Sequence, residues 1–212
     1  MVGRRTTTRI NHPHTRMSTS PPPPAAGRGL IVDANYRFIA AYQEVNARIA
    51  QRQQALGLYV SLTIGLLAVL VALRPEAGRP SLPVEWLALG FPVTSATLVF
   101  LNYKAERALT NLRRFLSQLE RLNDAHLTLP SYNTDPRWTQ SANQARRYHD
   151  YASATLVATA NTLALATVLG VHPERVAANT PVVWLIGVVA AFATLALALM
   201  PRLSYRPEPP SQ

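Results

Sequence analysis

Hydrophobic residues are concentrated in four stretches of this chain, and no Asp, Glu, Lys, Arg or His interrupts any of them. The stretches are 57–73, 86–101, 152–171 and 182–200. A helix needs about 20 apolar residues to cross the hydrocarbon core of a bilayer. Four uncharged stretches of this length are difficult to bury in a soluble domain of 212 residues. The pattern therefore predicts an all-α fold, a four-transmembrane-helix bundle.

Polar segments divide the chain between these stretches. We predict a disordered, basic, proline-rich tail at 1–29, a first hairpin with flanking cytoplasmic helices at 30–127, a loop at 128–137, a second hairpin at 138–201 and a tail at 202–212. The spans are predicted at about 57–73, 84–103, 151–171 and 181–200. Met17 is a second candidate for the first residue of the chain.

One segment of the sequence occurs twice. "PEAGRPSLPVEWL" begins at Pro75 and "PERVAANTPVVWL" begins at Pro173, and six of the thirteen positions are identical at an offset of 98 residues. The same offset also pairs Ala47 and Arg48 with Ala145 and Arg146. A fixed period is typical of internal repeats. It favours a bundle made of two parallel helical-hairpin repeats, although the shared requirements of two membrane hairpins are an alternative explanation.

The repeated segment contains residues typical of helix ends at a membrane surface. The prolines are predicted to stop one helix of each hairpin and to start the next, and they are Pro75, Pro173, Pro83 and Pro181. Thr180 is the predicted N-cap of the last span. Trp86 and Trp184 follow as predicted anchors at the membrane interface, where an indole can be partly hydrated.

The basic residues are distributed unevenly along the chain. The net charge is +10, and only Lys104 is a lysine, a bias that favours a GC-rich bacterial genome. The two short connections contain only Arg74, Arg79 and Arg175. Because basic side chains resist translocation, both termini and the central segment are predicted to be cytoplasmic in a bacterial inner membrane. The anionic inner leaflet is then the predicted partner of this charge, and no nucleic acid is expected.

Two polar segments are predicted to extend the spans as a cytoplasmic stalk of packed helices. Before the first span, apolar residues recur near heptad spacing at Ile39, Tyr42, Val45, Ile49 and Leu56. After the second span they alternate by three and four residues, as in a short coiled coil, at Leu109, Leu112, Leu116 and Leu119. Asp135 and Pro136 are the predicted N-cap and first residue of the helix that leads into the third span.

The sequence contains no motif of a known catalytic or nucleotide-binding site, and it contains no cysteine. The best acid–base cluster is Arg146, Arg147, His149 and Asp150. Adjacent helical residues point in different directions, so a salt bridge between helices or a headgroup contact is the favoured interpretation of this cluster. We therefore expect no enzymatic activity, no cofactor and no metal. An enzyme would require His149, Asp150, Glu106 or Asp135 to converge.

The third span contains the only amide among the four apolar stretches, Asn161, together with Thr155, Thr159 and Thr162. These residues form a candidate intramembrane polar strip. One interpretation is that they line a pathway for a solute. The favoured alternative is that they hold helices together, since small and hydroxyl residues let helices approach closely.

A cytoplasmic helix, two spans with a tight loop and a second cytoplasmic helix occupy about residues 30–127. This arrangement resembles the SLATT family of small bacterial membrane effectors, and the resemblance is topological, without a shared residue motif. It implies a self-associating, pore-forming effector. We therefore expect a non-enzymatic membrane protein that acts as a channel-like effector or membrane-anchoring subunit and forms a homo-oligomer or joins another membrane subunit. The alternative is a small-solute or lipid transporter that works as a monomer or dimer.

Overall fold

A computed structural model describes residues 33–75 and 83–207, and every regular element in these residues is helical. The helices are α1 (Ala34–Ala72), α2 (Val84–Ala88), α3 (Gly90–Glu120), α4 (Ala125–Thr128), α5 (Pro136–Val171), α6 (Pro173–Ala178) and α7 (Thr180–Leu199). Two 3₁₀ turns cover Leu122–Asp124 and Met200–Leu203. The predicted disordered tail at 1–29 lies outside the described residues, as does the end of the second tail, 208–212.

Four helical segments are long and apolar enough to cross a membrane: Ala34–Ala72, Val84–Glu120, Pro136–Val171 and Thr180–Leu203. Helix α7 has 20 residues, about 30 Å at 1.5 Å per residue, which matches the hydrocarbon thickness. Helix α1 has 39 residues, or about 58 Å. The prediction of an all-α fold is therefore confirmed for the described residues, and the length and composition of these four segments indicate a multi-pass membrane protein. Helices α1, α3 and α5 are longer than a bilayer requires.

The helices that flank the first short connection meet the residues of the second, 172–180, at one end of the bundle. Asn179 Nδ2 donates to Glu85 Oε1 at 3.0 Å, and His172 Nε2 lies 3.2 Å from the carbonyl oxygen of Leu70. At the opposite end, the C-terminal residues return to the long helices, since Thr110 Oγ1 donates to the carbonyl oxygen of Leu203. We call these the tip end and the stalk end.

At the stalk end, α1 packs against α3 around a small apolar cluster. Its buried residues are Ala41, Val45, Leu109 and Leu116, with Phe38 and Leu112 at the margin. The predicted face of α1 was wrong in part, because Ile39, Tyr42 and Ile49 are exposed. The packed stripe keeps the predicted Val45, but it runs through Phe38 and Ala41, one residue before Ile39 and Tyr42, and continues to the buried Arg52. A hydrophobicity pattern does not reveal this stripe, because Ala41 is small and Arg52 is charged.

Buried positions recur at the 98-residue offset of the predicted repeat. Both members are buried in six pairs taken from α1 and α5: Ala41/Thr139, Val45/Asn143, Arg52/Asp150, Tyr59/Val157, Thr63/Asn161 and Leu70/Val168. Equivalent helices of two hairpins related by an axis along the bundle would bury equivalent positions. The duplication of a hairpin itself stays a prediction.

Helix ends follow the predicted chemistry with one exception. The Asp135 carboxylate accepts a hydrogen bond from the Arg137 backbone N–H, and Pro136 is the first residue of α5, as predicted. The prediction for Thr180 was wrong. Asn179 occupies the cap position of α7, and the Thr180 hydroxyl donates to the carbonyl oxygen of Val176 instead. Helix α6 immediately precedes this position and supplies that acceptor.

The Glu120 carboxylate stabilises the connection between α3 and α5. Glu120 accepts hydrogen bonds from the backbone N–H groups of Asn133 at 2.9 Å and Thr134 at 3.0 Å. Its other oxygen accepts from Asn133 Nδ2 at 2.8 Å. Hydrogen bonds to an ionised group are stronger than those between neutral groups.

We predict that Glu120→Ala lowers the free energy of unfolding by about 2 kcal/mol, because it leaves these donors without their acceptor. Equilibrium unfolding in detergent micelles, followed by circular dichroism, measures the change. Glu44→Ala is the matched control, since Glu44 pairs with Arg48 on the exposed surface of α1 and contributes only a few tenths of a kcal/mol. Equal losses in the two variants would contradict the prediction.

Candidate functional site

Four charged side chains form a buried ionic cluster just outside the apolar stretches. Arg52 comes from α1, Glu106 from α3, and Arg146 and Asp150 from α5. The Arg52 guanidinium pairs with the Asp150 carboxylate and lies 3.5 Å from Glu106, which also pairs with Arg146. Asn102 Oδ1 accepts from Arg52 Nε at 3.3 Å. The side chains of Glu106 and Asp150 are only 1% exposed.

The charges of this cluster balance, with two guanidinium groups and two carboxylates. Burying an ion costs several kcal/mol, and a partner at contact distance offsets that cost. A second polar layer lies further toward the stalk end, where Arg113 Nη1 donates to Asn143 Oδ1 at 3.4 Å. Asn143 Nδ2 donates in turn to the carbonyl oxygen of Tyr205 at 2.7 Å. These contacts join α1, α3, α5 and the C-terminal segment.

The salt bridge expected between helices for the Arg146–Asp150 segment is present, although its partners were not predicted. Asp150 faces Arg52, while His149 Nδ1 lies 3.2 Å from Ser153 Oγ, so the two neighbours do not form a dyad. Of the four residues that an enzyme would require, only Glu106 and Asp150 lie close together, because both carboxylates contact the Arg52 guanidinium. Within 33–75 and 83–207, no group of three or more His, Asp and Glu side chains is arranged to hold a metal.

A second polar contact lies inside the membrane-spanning part of the bundle. Asn161 is 3% exposed, and its Nδ2 donates to Ser95 Oγ at 2.8 Å and to the carbonyl oxygen of Val157 at 2.8 Å. Tyr59 Oη lies 3.3 Å from the same Ser95 hydroxyl. The contact therefore links α1, α3 and α5. No described residue donates a hydrogen bond to Asn161 Oδ1.

The four residues of the predicted polar strip do not share one environment. Asn161 is buried, whereas Thr155, Thr159 and Thr162 are exposed. Asn161 and Thr162 line a groove of about 480 Å³ between α5 and α7. The other walls of this α5–α7 groove are formed largely by small residues, including Ala158, Gly187, Ala190, Ala191 and Thr194. Thr155 and Thr159 lie outside the groove.

The two predicted interface anchors are both accessible from outside the bundle. Trp86 lies in α2 and is 66% exposed, and Trp184 lies in the first two turns of α7 and is 71% exposed. Helix α2 and the beginning of α7 lie at the tip end. Their indoles are free to contact the surroundings of the bundle, as an interfacial residue requires.

In comparisons with known proteins, no protein-family profile matches the chain, and neither a curated protein nor a solved structure matches it. The ionic cluster, the Asn161 contact and the surface grooves therefore carry the functional interpretation.

We predict that Arg52→Leu lowers the free energy of unfolding by about 3–5 kcal/mol, because Asp150 then keeps a buried charge without its cation. Arg52→Leu combined with Asp150→Leu recovers much of this loss, since Glu106 retains Arg146. Unfolding in detergent micelles of both single variants and the double variant gives the coupling energy. Arg147→Leu removes an exposed charge from the same helix and serves as the control. Strictly additive losses would disprove the pairing.

Proposed function

We propose that this chain is a non-enzymatic, multi-pass membrane protein that self-associates and acts as a channel-like effector or as a membrane-anchoring subunit. The observation that carries the proposal is the α5–α7 groove, which is lined largely by small residues and also by Asn161 and Thr162. Small residues on a helix surface let a second helix approach closely.

A second copy of the chain carries exposed hydroxyl groups at a similar depth. Copies inserted in the same orientation present their exposed Thr159 hydroxyls within about 3 Å of the depth of Asn161, because these residues are two apart on α5. Thr159 projects about 100° away from Ala158 and about 60° away from Thr162 around the helix, so its hydroxyl lies beside the groove and not within it. Contact between different surfaces is head-to-tail, and a head-to-tail contact that closes forms a ring.

A channel-like role requires such a ring. The interior of one bundle is filled by buried side chains, among them Tyr59, Leu98 and Val157. A hydrated path would therefore run between copies. The resemblance to SLATT effectors is in keeping with this class of function. An anchoring subunit would use the same contact without enclosing a path.

The distribution of basic residues supports a bacterial inner membrane with both termini in the cytoplasm. Arginines of the described chain are concentrated at the stalk end, at Arg37, Arg48, Arg107, Arg114 and Arg147 among others. The tip end contributes Arg74 and Arg175. Because positive charge is retained on the cytoplasmic side, this asymmetry favours a cytoplasmic stalk end beside the anionic inner leaflet.

We predict three or more subunits for the purified protein in lipid nanodiscs, counted by native mass spectrometry. Gly187→Leu fills the α5–α7 groove and shifts the protein toward monomer. No atom lies within 4 Å of a Cβ added at Gly187, so one bundle accommodates the larger side chain. Gly65→Leu is the matched control, because Gly65 is equally open but lies on α1, outside the groove. A monomeric wild-type protein would disprove self-association and, with it, the channel.

The alternative, a small-solute or lipid transporter, is favoured by one observation. Tyr59, Ser95 and Asn161 bring three polar groups from three helices together inside the bundle. Neutral groups of this kind suit an uncharged polar solute.

A transporter is expected to lose solute uptake in Asn161→Ala, because the solute loses its amide contact, while the subunit count stays unchanged. Uptake of a panel of radiolabelled neutral solutes into proteoliposomes measures this effect. Thr155→Ala, on the exposed face of the same helix, is the control. Ion flux that falls together with the subunit count would favour the channel-like assembly instead.

A further inference from the structure

A second groove, of about 800 Å³, lies between α1 and α3 on the outside of the bundle. It extends on both sides of the level at which the first apolar stretch begins and the second ends. Its polar part is lined by Arg48, Gln51, Gln54 and Lys104. Its apolar part is lined by Leu58 and Leu101, which lie at the margins of the stretches 57–73 and 86–101. We call it the α1–α3 groove.

All the charged residues that line the α1–α3 groove are positively charged. Three of its lining residues are cations, Arg48, Arg52 and Lys104, and none is acidic. Arg52 is neutralised by Glu106 and Asp150, and Arg48 pairs with Glu44 on the exposed surface. No carboxylate among the described residues pairs with Lys104. The polar part of the groove is therefore electropositive and holds an ammonium group for which the described residues supply no counter-ion.

The dimensions of the groove match the end of a lipid. Arg48 and Leu58 are ten residues apart on α1, or about 15 Å along the helix axis. That length covers a phosphate group and the first part of an acyl chain. Gly57 leaves open space on the apolar part, where a Cβ would meet no atom within 4 Å. An inorganic anion would satisfy Lys104 but would leave Leu58 and Leu101 uncovered.

We propose that the α1–α3 groove is a binding site for one anionic phospholipid, with its phosphate beside Lys104 and Arg48 and an acyl chain along Leu58 and Leu101. A diester phosphate accepts hydrogen bonds from the lysine ammonium and from the side-chain amides of Gln51 and Gln54. This site goes beyond a general attraction between basic residues and an anionic leaflet, because it is stoichiometric and has an apolar part. It does not depend on self-association.

The full-length protein in detergent is titrated with phosphatidylglycerol or with phosphatidylcholine of the same acyl chains, and bound lipids per chain are counted by native mass spectrometry. We expect one phosphatidylglycerol per chain, retained in preference to phosphatidylcholine. Lys104→Gln is expected to weaken phosphatidylglycerol binding about fivefold, as the loss of one cation at a membrane surface does. Arg107→Gln, an equal change of charge one turn away on the same helix and outside the groove, is expected to have no such effect.

The apolar part of the site is tested separately. Gly57→Leu occupies the space for the acyl chain and is expected to weaken binding, whereas Gly65→Leu is not. Glycerol 3-phosphate, which carries the phosphate without acyl chains, is expected not to compete. Equal effects of Lys104→Gln and Arg107→Gln on phosphatidylglycerol binding would show diffuse surface attraction and would contradict a specific site. Competition by glycerol 3-phosphate, or equal binding by both glycine variants, would overturn the assignment to a lipid. Circular dichroism confirms that each variant retains its helices.

Discussion

The ion pairs of Arg52 with Asp150 and of Arg146 with Glu106 constrain the rest of the bundle. Each carboxylate is buried, and each pair joins two different helices. A buried charge is tolerated only where its partner reaches it, so α1, α3 and α5 have one acceptable register at this level. The apolar stretches provide no comparable selection, because the hydrophobic effect does not drive association between helices in lipid. The cluster therefore specifies which arrangement of four similar helices is formed.

Two further polar contacts also fix the register of the helices, at other depths of the bundle. Asn161 and Ser95 connect α5 to α3 within the apolar region, and Asn179 and Glu85 connect the start of α7 to α2 at the tip end. Between these levels the core is made of apolar and small side chains, such as Leu70, Phe91 and Val168. The polar contacts fix register and the apolar contacts fill space. The outer surface is left available for lipid or for another copy, and both grooves are found there.

The sequence predicted the parts of the fold that depend on local chemistry. The four spans follow from the absence of charge, and the start of α5 follows from the cap at Asp135. The ionic cluster could not be found in this way, because hydropathy assigns a charged residue to the surface, and Arg52 meets Asp150 only after three helices have packed. One signal was present: these two residues of opposite charge are 98 residues apart, at equivalent positions of the proposed repeat. The candidate strip is divided between two environments, because Asn161 is buried while Thr155, Thr159 and Thr162 are exposed.

Arg52 belongs both to the ionic cluster and to the wall of the α1–α3 groove. A phosphate that enters this groove adds a third anionic group near a guanidinium that already has two carboxylate partners. The net charge around Arg52 then depends on whether the groove is occupied, and so does the strength with which Asp150 holds α1 against α5. Any influence of anionic lipid on assembly would thus reach the bundle through this side chain. With an anionic lipid bound as proposed, the shared arginine would link the register of the helices to the composition of the surrounding leaflet.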